Sequence, residues 1–482
     1  MAAFHRVLSC LLFFTDLLDA QIQVMSPRWL TDSLSSTNGR IDGSTATFGA
    51  PFYGDRVLGR LVWGESKKGQ HHCTDEDYDV PVPDVVHGTS GVDEVRLINV
   101  IIVRRGECSF VTKVRVAANK GAHAVIIVDR PDTKLTTSDL KNIVVADDGY
   151  GSTIHIPSVL VTRDHGEQLI AAASGSEAVV ELAWDVPTGH VVQVDMWMSS
   201  GSADSTSFLE SFAESRKTLN EVVDFQPHYH VFSMDSTQGG YNGLCSDETA
   251  EYCAEDPDKS GPVTGRDVLE EDVRQLCIHE ITKVPRTRAG ADPSNSAKVF
   301  FADAWWNYMK HLSTRCPIEA TQEQDRFGVQ CSEQLMREVG IDVEKVQKCV
   351  RETAHQKLAQ ERENKAWSPH ALRINGWRYS GMLNADLVTR AVCSGFAVRP
   401  KECSELIEPR DPFAKFGAAP SAEGVGFGGL MGVLSCLVFA ACIGMVLYRR
   451  LLAKTIRNQM REEVMLEVHA QLDAYSKLPA SV

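Results

Sequence analysis

The chain has 482 residues and a formal net charge of −15. That length accommodates about three domains at ~150 residues each. The acidic balance excludes a general nucleic-acid binder, which needs a basic footprint, while the 43% hydrophobic content is that of an ordinary globular chain.

In chain order, residues 1–20 read as a secretory leader. "FHRVLSCLLFFTDLLDAQ" has a small basic start, an apolar stretch interrupted by Asp16 and Asp19, and a cleavage point after Ala20. Cys10 lies in this leader, and Cys436 and Cys442 lie in a long apolar run near the other end. The remaining ten cysteines are Cys73, Cys108, Cys245, Cys253, Cys277, Cys316, Cys331, Cys349, Cys393 and Cys403. An even set on the secretory side is expected to form up to five disulfides. No Cys-x-x-Cys pair occurs, so cysteine metal sites are not expected. No Asn-X-Ser/Thr acceptor exists, so N-glycosylation is not expected either.

Residues 21–187 form the first module, read as short strands with few long helices. Residues 97–103 are an apolar, β-branched run of strand length, followed by a turn at Arg105, Gly106, Glu107 and Cys108. Helical spacing then puts Val111, Val114, Val116 and Ala117 on one side, Gly121 caps that helix in the left-handed conformation, and Ala124–Val128 is the next buried strand. A strand, a helix and a parallel strand leave their loops at one edge. The stretch "VIIVRRGECSFVTKVRVAANKGAHAVIIVDR", with "STIHIPSVLVTRDHGEQLIAAA" downstream, is similar to the protease-associated (PA) domain. The resemblance implies that Cys108 pairs with Cys73 and braces the turn. It also implies a ligand surface at Arg105, Gly106, Glu107, Cys108, Ser109 and Phe110, with Asp129 and Arg130 beside it. A guanidinium there can fork onto a peptide carboxylate or onto backbone carbonyls, and loops on a rigid scaffold are where binding usually sits.

Residues 188–403 form the second module. "VVQVDMWMSS" alternates as a strand, "STSFLESFAESRKTLNEV" is an amphipathic helix with Phe208, Leu209, Phe212 and Leu219 on its apolar side, and "FQPHYHVFSM" is a second strand. Far downstream, Asn375-Gly376 between two strands predicts a type I′ hairpin. The order resembles a thioredoxin-like fold with a helical insertion at about 239–366, in which Pro369 takes the place of the fold's cis-proline. Redox members carry Cys-x-x-Cys after the first strand. Here "MSSGSADS" supplies Ser199, Ser200, Ser202 and Ser205, and a hydroxyl cannot perform thiol exchange. Within the insertion, adjacent Trp305 and Trp306 cannot share one helix face, so one is expected in the core and the other partly exposed. His228 and His230, two apart on a strand, are expected to be structural, since no third metal ligand is evident.

"YCAEDPD", "GRDVLEEDVRQLC", "WWNYMKHLSTRCP", "CSEQLMREVGIDVEKVQKCV" and "NGWRYSG…AVCSGF" together resemble the central region of the plant and protist vacuolar sorting receptors. The resemblance implies a type I membrane protein that binds a short sorting determinant on soluble cargo in the Golgi and carries it to vacuolar or lysosome-like compartments. Plant members have calcium-binding, epidermal-growth-factor-like repeats before the membrane. Here Cys403 is followed only by a Pro- and Ala-rich linker, 404–423.

Residues 424–448 hold no charged residue and are long enough to span a bilayer as a helix. Arg449, Arg450, Lys454 and Arg457 follow them and mark the cytosolic side. Gly424, Gly428 and Gly432 form a small-residue ridge that supports a homodimer. In the tail, 449–482, Tyr475-Ser476-Lys477-Leu478 is a Tyr-x-x-apolar tetrad, whose anchors Tyr475 and Leu478 fit a clathrin adaptor medium subunit in extended form. Upstream, Leu452, Ile456, Met460, Val464, Val468 and Leu472 recur every four residues as an amphipathic helix, with Glu462, Glu463, Met465 and Leu466 as a second adaptor contact. Release in an acidic compartment by histidine protonation is expected, with His155 and His165 in the binding module.

The fold class expected is therefore α/β and α+β, multidomain: a β-rich PA domain, a thioredoxin-like domain, one transmembrane helix and a short tail. The protein is expected to be no enzyme, with no catalytic residues, metal or cofactor. The alternatives are a membrane-anchored, peptidase-associated protein and an orphan adhesion protein with a peptide-binding domain. Peptidase motifs such as His-Glu-x-x-His and Gly-x-Ser-x-Gly do not occur. A tail with no cysteine cannot build the zinc ring of a membrane ubiquitin ligase.

Overall fold

The computed structural model describes residues 20–67, 71–81, 97–140, 142–238, 243–287, 299–414 and 416, with scattered positions between 443 and 465. The chain divides into two units, Met1–Phe416 and Gly417–Val482. Among the described residues no helix is long and apolar enough to cross a membrane. The apolar run 424–448 lies largely outside the described residues, as do the leader 1–19 and the tetrad 475–478.

The first part of the larger unit runs β1 (Ala20–Ser26), α1 (Arg28–Ser33), β2 (Arg40–Thr45), β3 (Arg56–Trp63), β4 (Ile98–Arg104), α2 (Phe110–Asn119), β5 (Ala124–Val128), α3 (Thr137–Leu140), β6 (Ser158–Val161), α4 (Arg163–Gly175) and β7 (Val179–Ala183). Its strands close into a barrel in the order β1-β2-β6-β5-β4-β3-β7. β4 pairs in parallel with β3 and β5, and β5 with β6. These strands are apolar without alternation because both faces are covered. Val100, Ile102 and Ile126 join the main core, whereas Ile101, Val103, Val125 and Ile127 join a second cluster under α2 with Val111, Val114 and Ala117. Ser109 accepts from Thr112 N–H and caps α2, and Gly121 beyond it has φ +89°, as its place after the helix predicts.

The second part runs β8 (Val192–Met198), α5 (Ala203–Thr218), β9 (Val223–Tyr229), α6 (Gly265–Thr282), β10 (Val284–Arg286), β11 (Val299–Phe301), α7 (Asp303–Arg315), α8 (Val329–Glu338), α9 (Val343–Glu363), β12 (Ala371–Ile374), β13 (Trp377–Arg378), α10 (Ala385–Ser394) and α11 (Lys401–Leu406). Its sheet has the order β13-β12-β8-β9. β8 and β9 are parallel and β12 is antiparallel to β8. Asn375 and Gly376 between β12 and β13 have φ 51° and 77°, the left-handed pair a type I′ turn requires. The ten cysteines pair as Cys73–Cys108, Cys245–Cys253, Cys277–Cys349, Cys316–Cys331 and Cys393–Cys403.

Two local expectations need correcting. Trp305 and Trp306 are both buried, at 0% and 4% exposure. α7 is covered on more than one side: Trp305 meets Phe225 and His279, and Trp306 meets Phe225 and Phe212. Pro369 follows a trans peptide bond; among the described residues the cis bond is Ser26-Pro27. Trans is the intrinsically preferred isomer of an X-Pro bond.

The two parts share one core and are stitched along their boundary. Gly381 N–H donates to Ala46 C=O and Met382 N–H to Gly49 C=O, at 2.8 and 2.9 Å. The buried Tyr53 hydroxyl donates to Ser380 C=O at 3.1 Å and accepts from Ser380 N–H at 2.9 Å. Residues read as the start of the linker also join the barrel. Arg410 donates to Ala50 and Pro51 C=O, at 2.9 and 3.0 Å, and lies 3.9 Å over the Phe52 ring centroid. Phe413 packs edge-on against His123.

Candidate functional site

The turn after β4 is held at both ends. Arg105 N–H donates to Val128 C=O at 2.8 Å, so the residue still belongs to the β4–β5 ladder. Gly106 and Glu107 then take φ 126° and 64°, and Cys108 N–H closes on Gly106 C=O at 2.8 Å. Both residues use the left-handed half of backbone space, which glycine enters without penalty. Cys108 is tied to Cys73, as the sequence resemblance implied.

Beneath the turn lies a set of buried polar groups. Asp129 is fully buried, and its carboxylate accepts from Arg105 Nη1 at 3.0 Å and from the Thr133 hydroxyl. Arg105 also lies over the Phe110 ring, 5.5 Å from its centroid. The guanidinium thus keeps one exposed edge while its charge balances a carboxylate that solvent cannot reach. Asp129 therefore positions Arg105 and is closed off from solvent. Lys113 is fully buried; its ammonium donates to His71 C=O and toward Cys73 Sγ, and burial lowers its pKa to about 8. His72 is wedged between Trp63 and Tyr78. Its Nδ1 accepts from Arg104 N–H at 3.3 Å and its Nε2 meets Gly64 C=O at 2.8 Å, which fixes the neutral tautomer with the proton on Nε2. Burial pushes its pKa down to about 4. Asp77 completes the brace by accepting from Cys73 N–H at 2.8 Å and from Ser66 at 2.8 Å.

What solvent sees is a short charged rim: the free edge of Arg105, Glu107 with its side chain 66% exposed, and Arg130 with its side chain 47% exposed. The stem of Arg130 passes 3.7 Å from where a Cβ on Gly106 would sit. The loop at 147–152 lies near the rim, where the proximity of the Ser109 hydroxyl holds the Asp148 carboxyl below its usual range. The sequence brought Arg105, Cys108, Ser109, Phe110 and Arg130 to one place, and so the structure has them. It missed Lys113 and His72. Lys113 stands four residues before Ala117 on the apolar face, a signal that helical spacing does carry. His165, on α4, has its pKa lowered by burial, whereas His155 is exposed.

The loop between β8 and α5 forms a second polar pocket of about 250 Å³, lined by Ser199, Ser202, His230, Glu255, Pro369 and His370. Ser200 N–H donates to Asp272 Oδ1 at 3.0 Å and its hydroxyl to Val268 C=O at 3.2 Å. Ser205 Oγ meets His370 Nδ1 at 2.9 Å. Hydroxyls fill the place where thiolates would act, and those of Ser200, Ser202 and Ser205 are engaged in holding the loop. Among the described residues no cluster of His, Cys, Asp and Glu could hold a metal ion. His228 is instead paired with Glu361 at 3.3 Å and Asp195 at 3.7 Å. Burial alone would lower its pKa, but the two carboxylates outweigh that and raise it to about 9.

Residues 192–393 match the family model of the vacuolar sorting receptor thioredoxin-like domain, and residues 57–169 match that of the PA domain. The chain is 26% identical to vacuolar-sorting receptor 3 of Arabidopsis thaliana over 418 residues, which are 80% of this chain and 62% of that protein. It is 27% identical to vacuolar-sorting receptor 4 of the same plant, over 76% of this chain and 58% of that one. It is also 27% identical to vacuolar-sorting receptor 1 of Pisum sativum, over 81% of this chain and 63% of that one. The chain thus spans about three fifths of the length of the curated relatives it matches. It carries a PA domain followed by the thioredoxin-like domain of the vacuolar sorting receptors, the proteins it resembles over about four fifths of its own length.

Proposed function

We propose that this protein is a type I membrane cargo receptor. Its PA turn binds a short sorting determinant of soluble proteins in the Golgi lumen. One helix at 424–448 crosses the membrane, and Tyr475 and Leu478 in the tail engage a clathrin adaptor medium subunit. The receptor thereby moves cargo through the trans-Golgi network and endosomal or prevacuolar membranes to vacuolar or lysosome-like compartments, and the glycine ridge of the span pairs two copies. It is not an enzyme. The observation that supports this reading most is the pairing of a sorting-receptor thioredoxin-like domain with a PA turn whose exposed edge is held rigid from below. Such rigidity lowers the ordering cost of binding a flexible peptide. Arg105, Gly106, Glu107, Cys108, Ser109, Phe110 and Arg130 form the contact surface, with Asp129 and the Cys73–Cys108 bridge behind it.

The test uses the full chain in detergent, immobilised and exposed to soluble protein from its own secretory compartments. The charge-swapped variant Glu107→Lys/Arg130→Glu alters two exposed side chains, and because Glu107 also faces the buried Lys113 ammonium the variant's thermal unfolding is first matched against wild type. We expect the variant to recover at least tenfold less of the same soluble proteins, the size of losing one or two charge-assisted hydrogen bonds. Equal recovery by wild type, variant and blank resin would dismiss the receptor reading.

A further inference from the structure

Where the two domains meet, a cleft of about 410 Å³ is lined by Ser44, Asn142, Trp367, Arg373, Trp377 and Arg378, among others. The two arginines differ in what they do. Arg378 crosses the boundary and is engaged, donating to Ser44 Oγ at 3.1 Å and Ile143 C=O at 3.3 Å. Arg373, on β12, is stacked instead. Its guanidinium carbon lies 4.7 Å from the ring centroid of Trp197 and 5.6 Å from that of Trp367. Trp197 is fixed by an Nε1–H bond to Asn364 C=O at 2.6 Å and stacks in turn on His228, with centroids 4.7 Å apart. Asp195 stands opposite Arg373 in the strand register, but its carboxylate serves His228. Among the described residues the Arg373 side chain has no carboxylate within 4.0 Å and no hydrogen bond. Two indoles thus lie within 5.6 Å of the guanidinium while its five in-plane N–H donors are unused. A guanidinium already held in one plane is well suited to a planar two-oxygen acceptor.

A second cleft of about 500 Å³ shares Trp367 and continues past Asp147, Gly151, Ser152, Asp204 and His370. Its barrel side is the 147–152 loop, which contributes Asp147, Gly151 and Ser152 and whose Asp148 lies near Ser109. One surface therefore runs from the charged rim, along this loop, to Arg373. It is cationic at the Arg373 end and carries Asp147 and Asp204 between.

We propose that the Arg373 cleft is a second subsite for the peptide cargo and receives one of its carboxylates; this rests on the receptor reading given above. The carboxylate forks onto Arg373 between the two tryptophans, while the rest of the extended peptide lies along the 147–152 loop toward the turn. The carboxylate comes from the peptide C-terminus or from an Asp or Glu side chain. The chemistry is shared, and the experiment separates the two.

The full chain in detergent is immobilised and offered equal amounts of three pools of N-acetylated random octapeptides: free acids lacking Asp and Glu, C-terminal amides containing Asp and Glu, and C-terminal amides lacking both. Recovery is read by mass spectrometry. Wild type is expected to recover at least one carboxylate-bearing pool about tenfold over the carboxylate-free pool, as a charge-assisted pair implies. Preference for the free acids assigns the terminal carboxylate, and preference for the acidic amides assigns the side chain. Arg373→Gln should bring the ratio to about one while still recovering the carboxylate-free pool as wild type does, which shows that the variant is folded. Arg373→Lys, which keeps the charge and loses the planar fork, should retain part of the preference. A ratio near one in wild type, or one unchanged in Arg373→Gln, overturns the proposal and leaves the receptor reading standing. Failure to recover any pool above blank resin overturns both.

Discussion

Replacing Cys277 and Cys349 together by serine is expected to lower the stability of the folded unit by about 4 kcal/mol, the loop-closure value for a bridge of this span. The two cysteines are 72 residues apart and join α6 to α9 across most of the insertion. Those helices bring Asp272 under the serine loop and Glu361 onto His228, so the bridge also holds the polar contacts of the thioredoxin-like sheet. The Cys393–Cys403 bridge closes only 10 residues, and its loss should cost about 1–2 kcal/mol less by the same relation. Denaturant unfolding of the full chain in detergent, followed by tryptophan fluorescence, measures both. Equal effects of the two double substitutions would contradict the loop-length argument.

Arg105→Ala should destabilise the PA domain by about 3–5 kcal/mol, because it strands a fully buried carboxylate on Asp129 with Thr133 as its remaining partner. Arg105→Met/Asp129→Leu removes both charges and should recover most of that loss, since two apolar side chains can replace a buried pair at little cost. Thermal unfolding of the two variants gives the comparison. An Arg105→Ala protein as stable as wild type would show that Asp129 does not depend on Arg105. Arg105→Ala thus removes the proposed ligand contact and a structural support together, whereas Arg130 reports on the rim alone.

The strand, turn, helix and strand around the site were legible in the sequence because both faces of β4 and β5 are covered, so their residues run apolar without a break. The Asn375-Gly376 hairpin was legible for a local reason, since two consecutive positive φ angles select those residue types. What escaped was set by distant partners. The pairing of Arg105 with Asp129 depends on the parallel register of β4 and β5 and on Asp129 lying one residue past a fully buried strand. Trp306 is buried because the chain folds Phe212 and Phe225 onto the second side of α7. Arg373 is a charged residue at an intermediate position of a four-residue strand, and nothing within that strand announces that Trp197 and Trp367 will enclose it. The boundary bonds join residues more than 200 positions apart, beyond the reach of any local pattern.

In the proposed role, the protein withholds soluble proteins from secretion by carrying them elsewhere. The most direct measurement is the protein content of the medium from cells lacking this gene, compared with cells restored with wild type, with Glu107→Lys/Arg130→Glu, or with Tyr475→Ala. The account predicts that soluble proteins of vacuolar or lysosome-like compartments appear in the medium when the gene is absent. Wild type should return them to the cell, and neither variant should. A medium unchanged by loss of the gene would contradict it.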